Sequence, residues 1–88
     1  MDYIKGAAIL KALGHPARLQ MMGGIAKYGC HVNRMVEKLG LPQSTVSQHL
    51  AALRSAGLVT FEKKGAMACY KVIDARFMKI IQILGEVS

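Results

Sequence analysis

The stretch LGLPQSTVSQHLAALRSAGL, residues 39–58, decides the fold. The glycine and proline near its start predict a tight turn, and its apolar residues then recur at the spacing of one helical face. The members of that face are Val46, Leu50 and Leu53. Because Gly57 is typical of a helix terminator, the stretch predicts a helix over residues 43–55.

The neighbouring residues predict a second helix before this one and a β-hairpin after it. Residues 32–39 carry an apolar stripe at helical spacing, namely Val32, Met35, Val36 and Leu39. Residues 58–62 and 68–73 are rich in β-branched and aromatic residues, and residues 63–67 supply turn chemistry between them. This order predicts a winged helix-turn-helix, whose second helix enters the DNA major groove and whose hairpin, the wing, reaches phosphates or the minor groove.

The rest of the chain predicts three further helices, over residues 2–13, 17–28 and 75–84. The expected fold is therefore mainly α with a two-stranded β wing, in which five helices form a single winged helix-turn-helix domain over residues 1–88. Within it, the helix-turn-helix covers about residues 32–55 and the wing about residues 58–73.

The chain carries more apolar residues than one small core needs. Hydrophobic residues make up 52% of the sequence, whereas a chain of this length buries only about 60–65% of its unfolded surface. The last predicted helix is apolar over a wide face, at Phe77, Met78, Ile80, Ile81, Ile83 and Leu84. We therefore expect a homodimer that forms through the N- and C-terminal helices.

The outer face of the helix over residues 43–55 has the chemistry of a DNA-contacting surface. Its polar residues are Gln43, Ser44, Ser47, Gln48 and Arg54, with Thr45 and His49 at its margins. Such side chains hydrogen-bond base edges or phosphates. No acidic residue occurs over residues 42–59 and the net charge is +7, which favours a polyanionic partner. The alternative is an ordinary solvated face of an amphipathic helix.

Two lysines, Lys63 and Lys64, give the predicted turn of the wing a positive charge. Two interpretations are open for them. They contact DNA phosphates, or they belong to a solvated turn with no partner.

Residues 39–59 strongly resemble the ArsR/SmtB family of winged helix-turn-helix transcriptional regulators. The resemblance extends to LGHPARL at residues 13–19 and to Tyr70 in the second wing strand, and it covers about residues 8–84. It implies a homodimeric repressor that binds a palindromic, inverted-repeat operator in double-stranded DNA and leaves it when an inducer binds. It also favours phosphate contact by both wing lysines.

The metal sites typical of this family are missing from the sequence. Many members bind metal through a Cys-x-Cys-Asp box near the start of the third helix. The corresponding positions here are His31, Asn33 and Arg34. A second family site uses Asp and His residues of the last helix, where Asp74 is present but Arg76 replaces a histidine. Cys30 and His31 supply only two of the four ligands that zinc needs, so we predict no metal and no cofactor.

The two cysteines, Cys30 and Cys69, allow two interpretations. In a cytosolic chain they are expected to be reduced thiols and not a structural disulfide. They are then either small buried apolar residues or a pair that senses oxidants or reactive sulfur, as in some members of the family. In those members one thiol lies in the second helix and the other in the last, whereas Cys69 falls in the predicted wing.

Location and class follow from what the sequence lacks. The opening residues show no signal-peptide pattern, and no stretch approaches the roughly 18 apolar residues of a membrane span, so we expect a cytoplasmic protein without membrane partners. Its acids are Asp2, Glu37, Glu62, Asp74 and Glu86. None is paired at a spacing suited to acid–base chemistry, which argues against an enzyme. A winged helix that docks on another protein and never contacts DNA is the remaining alternative.

Overall fold

The computed structural model describes the backbone of all 88 residues and every side chain except those of Cys30 and Val32. Its elements are α1 (Tyr3–Leu13), α2 (Pro16–Tyr28), α3 (Val32–Leu39), α4 (Gln43–Ser55), β1 (Val59–Lys64), β2 (Met67–Val72) and α5 (Phe77–Val87). One 3₁₀ turn, Gly29–His31, joins α2 to α3. The predicted fold class is confirmed, and α3 and α4 begin and end at the predicted residues.

Local contacts set the ends of the helices. The Asp2 carboxylate caps α1 by accepting a hydrogen bond from the third backbone N–H after it, at 3.1 Å. His15 Nδ1 accepts from the Ala17 N–H at 3.1 Å, and Pro16 takes the first position of α2. Gly40 ends α3 with a φ of 64°, a left-handed conformation that glycine adopts without steric cost. A three-residue turn then leads into α4.

The core is built around α2, which contacts α1, α3, α4, α5 and the wing strand β2. Its most deeply buried residues are Met21, Met22 and Ile25. They join one cluster with Val46, Leu50 and Leu53, the predicted inward stripe of α4. An apolar stripe at helical spacing runs along α2 through Leu19, Met22, Ile25 and Ala26, yet Ala26 is exposed, and Met21, which is off this stripe, is fully buried. A single stripe does not describe the burial of α2, because neighbours contact it on several sides.

The wing is a tighter hairpin than the sequence predicts. Register pairs Val59 with Val72 at the base and Lys64 with Met67 at the tip, which leaves a two-residue turn in place of residues 63–67. The first turn residue, Gly65, has a φ of 60°, and among the described residues only glycines have a positive φ. These signs fit a type II′ turn, which requires glycine at its first central position.

The terminal helices leave apolar side chains exposed. α5 begins two residues after the predicted start and ends three residues after the predicted end, and none of its residues is buried. The exposed apolar residues of the two helices are Tyr3, Ile4, Leu10, Ile83, Leu84 and Val87. This surface is consistent with a homodimer through α1 and α5. Among the described residues, no helix combines the length and apolar character that crossing a membrane requires.

Candidate nucleic-acid interface

The side of α4 opposite the core presents a continuous polar surface. Its exposed members are Gln43, Ser44, Ser47, Gln48 and Arg54, with Thr45 half-buried at the margin. The inward stripe fixes the orientation of this surface, since Val46 and Leu53 are fully buried and Leu50 is nearly so. Because α4 carries no acidic residue, the surface can approach phosphates without charge repulsion.

His49 lies on the inner side of α4 and not, as predicted, at the margin of its outer face. It is only 8% exposed, and its Nδ1 accepts a hydrogen bond from Arg18 Nε at 3.1 Å. Burial lowers the pKa of His49 below its ordinary value, and the neighbouring His15 and Arg18 lower it further. The neutral imidazole is favoured, and that form can accept from Arg18. The ring of His49 therefore lies against Arg18 of α2 and is not on the exposed side of α4.

Arg18 connects α4 to the corner between α1 and α2. Besides its bond to His49, its Nη1 donates to the Ala12 carbonyl at 3.4 Å. The rings of His15 and His49 lie 4.4 Å apart, tilted by 51°. Sequence patterns do not reveal this contact, because 31 residues separate Arg18 from His49. The two side chains fix one side of α4 against α2.

The two wing lysines lie in β1 and not in the turn, so they point to opposite faces of the hairpin. Lys63 shares its face with Phe61 and Tyr70, whose rings lie 5.2 Å apart. The Arg54 guanidinium is 5.2 Å from the Phe61 ring centroid, which identifies this as the face near α4. Lys63 therefore extends the α4 side of the wing, and Lys64 lies on the other face.

Asp74, which occupies a position of the family's second metal site, is engaged by Arg76. The Arg76 guanidinium donates to both carboxylate oxygens, at 2.6 Å for Nη2 to Oδ2. These hydrogen bonds lower the pKa of Asp74 to about 2. Among the described side chains, no three His, Cys, Asp or Glu residues form a group that could hold a metal ion.

The expectation of reduced thiols is wrong for Cys69. It is 9% exposed in β2 and is disulfide-bonded. The strand that carries it packs against α2 and the Gly29–His31 turn. The side chain of the second cysteine, Cys30, lies outside the described residues.

Comparison with known proteins gives a consistent result for sequence and fold. The family model for bacterial regulatory proteins of the arsR family matches residues 15–60. Across 85 residues, the chain is 38% identical to an HTH-type transcriptional regulator of Methanocaldococcus jannaschii, covering 96% of each chain.

Two solved structures extend the match to three dimensions. The transcriptional repressor PagR of Bacillus anthracis is similar with a TM-score of 0.78 at 32% identity, covering 92% of this chain and 93% of that one. A homodimeric winged helix-turn-helix DNA-binding domain of Mycobacterium bovis has a TM-score of 0.81 at 26% identity, covering 96% of this chain and 78% of that one.

Proposed function

Since the chain belongs to the ArsR family of bacterial regulatory proteins, we propose that it represses transcription by binding an inverted-repeat operator as a homodimer. The observation that carries the proposal is the division of α4 into a buried inner side and an exposed, acid-free polar side. A helix of this kind is rigidly held and can enter the major groove with its side chains already oriented.

The roles of the individual residues follow from their positions. Ser47 and Gln48 lie near the middle of the exposed side and contact base edges, where glutamine pairs with adenine. Gln43, Ser44 and Thr45 lie in the first turn and contact bases or the backbone next to them. Arg54, together with Lys63 on the side of the wing that faces α4, contacts phosphates, and Lys64 contacts a phosphate from the other face of the hairpin, near its tip.

The palindromic operator follows from two-fold symmetry. Apolar surface on α1 and α5 supports an isologous dimer, in which the same patch is used twice. Two copies of α4 then face successive major grooves, so the two half-sites are inverted repeats about one helical turn, or a multiple of it, apart. The similar domain of Mycobacterium bovis is itself homodimeric.

Selection of bound DNA from a genomic library, followed by affinity measurements, tests the proposal. The variant Ser47→Glu/Gln48→Glu places two negative charges on the exposed side of α4 and is expected to abolish operator binding. The control Gln20→Glu/Ala26→Glu adds the same charge at exposed positions of α2 and is expected to retain binding with a modest loss. If both variants bind operator equally well, α4 is not the recognition helix.

The salt dependence of binding distinguishes this proposal from the alternative, a winged helix that docks on another protein. Binding through phosphates weakens steeply between about 50 and 200 mM salt because counterions are released. An apolar docking surface is far less sensitive. An operator affinity that is flat over this range contradicts phosphate contact by Arg54, Lys63 and Lys64.

We propose that the protein acts in the cytoplasm, where it would meet its operator, and that thiol redox chemistry at Cys30 and Cys69 is the signal that controls operator binding. The disulfide-bonded state of Cys69 supports this, because disulfides in that compartment are usually transient or redox-sensing. Reduction by a dithiol supplies two electrons and two protons and yields two thiols, which frees β2 from a covalent tie. The operator affinity of the wild type should differ several-fold between reduced and oxidised protein, and that of Cys69→Ser should not. If reduced and oxidised wild type bind the operator with equal affinity, redox control of operator binding is wrong.

A further inference from the structure

A cleft of about 290 Å³ lies between α2 and α3, away from the exposed side of α4. Its lining residues are Gln20, Gly23, Gly24, Lys27, Tyr28, Met35, Lys38 and Leu39. The volume is just below the roughly 300 Å³ at which the usual range of ligand pockets begins. Neither the DNA-contacting residues nor the apolar surface of α1 and α5 takes part in it.

One end of the cleft is cationic. Lys38 Nζ donates a hydrogen bond to Tyr28 Oη at 2.7 Å. The ammonium groups of Lys27 and Lys38 lie 5.4 and 5.3 Å from the centroid of the Tyr28 ring, so both converge on one phenol. The hydrogen bond from Lys38 is the main cause that lowers the pKa of Tyr28. No carboxylate is among the described lining residues, which leaves two positive charges without a counter-ion.

The other end of the cleft is kept open by glycine. A side chain at Gly24 would collide with Met35, so packing between α2 and α3 explains that glycine. A side chain at Gly23 would meet nothing within 4 Å. Glycine inside a helix costs about 1 kcal/mol relative to alanine, and no described neighbour requires it at Gly23. Gly23 lines the same cleft as Met35 and Leu39, and its missing side chain leaves that part of the cleft open.

We propose that this cleft binds a small organic anion with a carboxylate head and a short apolar body. The carboxylate pairs with Lys27 and Lys38, which are placed to hold it from two helices. The apolar body lies over Gly23 and contacts Met35 and Leu39. Because Lys38 lies in the last turn of α3, just before the turn into α4, the site bridges α2 and the helix-turn-helix.

Benzoate is the probe, and benzamide is the uncharged control of the same shape. Two-dimensional NMR of the full chain follows the backbone amides of Gly23, Gly24 and Tyr28 during titration. Benzoate is expected to shift them in a saturable manner, while benzamide and inorganic phosphate bind much more weakly, because each lacks one half of the ligand. Equal shifts with benzoate and benzamide, or with benzoate and phosphate, overturn the proposal.

Variants separate the two halves of the site. Gly23→Leu fills the open end and is expected to abolish benzoate binding while thermal unfolding shows a folded protein. Lys27→Gln and Lys38→Gln should each weaken binding by roughly two- to five-fold, as for exposed ion pairs. Lys11→Gln on α1 is the matched control and should bind like the wild type. Retained binding in Gly23→Leu contradicts the assigned position.

The alternative role for Lys27 and Lys38 is contact with DNA phosphates. If Lys27→Gln and Lys38→Gln weaken operator binding while benzoate leaves the cleft amides unshifted, these residues belong to the DNA interface and the proposal is wrong. The benzoate titration needs no DNA, so its result does not depend on whether the chain represses transcription.

Discussion

Helices α4 and α5 divide polar and apolar residues in opposite ways. α4 buries Val46, His49, Leu50 and Leu53 and exposes polar side chains. α5 buries none of its residues within the protomer and exposes Ile83, Leu84 and Val87. A helix with one buried side and a polar outer side suits a polar, hydrated partner such as DNA. An apolar helix that its own protomer covers only in part, as α5 is by the core, needs a second protein surface. The two helices therefore suit two different partners.

The largest expected effect comes from charging the exposed side of α5. Ile83→Glu/Leu84→Glu should dissociate the dimer, because each side chain occurs twice in a two-fold interface and burial of each contributes about 1.5–3 kcal/mol. Sedimentation measures the dimer constant, which should weaken by at least about a hundred-fold. The control Gln82→Glu changes the polar side of α5, which it shares with Lys79 and Glu86, and should leave the dimer intact. A dimer that survives the double substitution would remove α5 from the interface.

Leu53→Ala tests the anchored side of α4. Leu53 is fully buried, so its truncation should destabilise the fold by about 2–5 kcal/mol at any protein concentration. Ile83→Ala, at an exposed position of α5, should destabilise only through the dimer, so its effect should depend on protein concentration. Urea unfolding at two concentrations measures both. The contrast between the helices fails if Ile83→Ala gives the same concentration-independent loss as Leu53→Ala.

Arg18→Met tests the polar part of that anchor. Without Arg18, the part-buried Nδ1 of His49 loses its donor, which should cost about 1–3 kcal/mol. Arg34→Met, at an exposed site on α3, is the matched control and should change stability by less than about 0.5 kcal/mol. If both substitutions have the same effect in urea unfolding, the hydrogen bond between Arg18 and His49 does not help to hold α4 against α2.

The smallest effect is a dependence on pH. Because the pKa of folded His49 lies below its unfolded value of 6.5, the unfolded chain binds more protons in this range. The stability contributed by neutral His49 is therefore complete above that unfolded pKa and is lost as pH falls through the folded pKa. His49→Asn keeps an acceptor near Arg18 but cannot titrate, so it should lose less stability than the wild type between pH 7 and 5. Parallel pH profiles would show that His49 does not contribute.

Sequence patterns predict the helix-turn-helix well, because its signals are local. The stripe of α4 and the left-handed Gly40 are contained in a few consecutive residues. Sequence patterns fail where a residue far away in the sequence decides the position of a side chain or the length of a strand. The inward position of His49 depends on Arg18, and the pairing of Lys64 with Met67 extends β1 through lysines whose charge suggests a turn. The disulfide-bonded state of Cys69 likewise depends on the folded arrangement.

NMR mapping of the chain with its selected operator shows directly which surface contacts DNA. The largest backbone amide shifts are expected at residues 43–48 of α4 and at the tip of the wing, while those of α1 and α5 stay small. Shifts confined to α1 and α5, with α4 unchanged, would contradict recognition of DNA through α4.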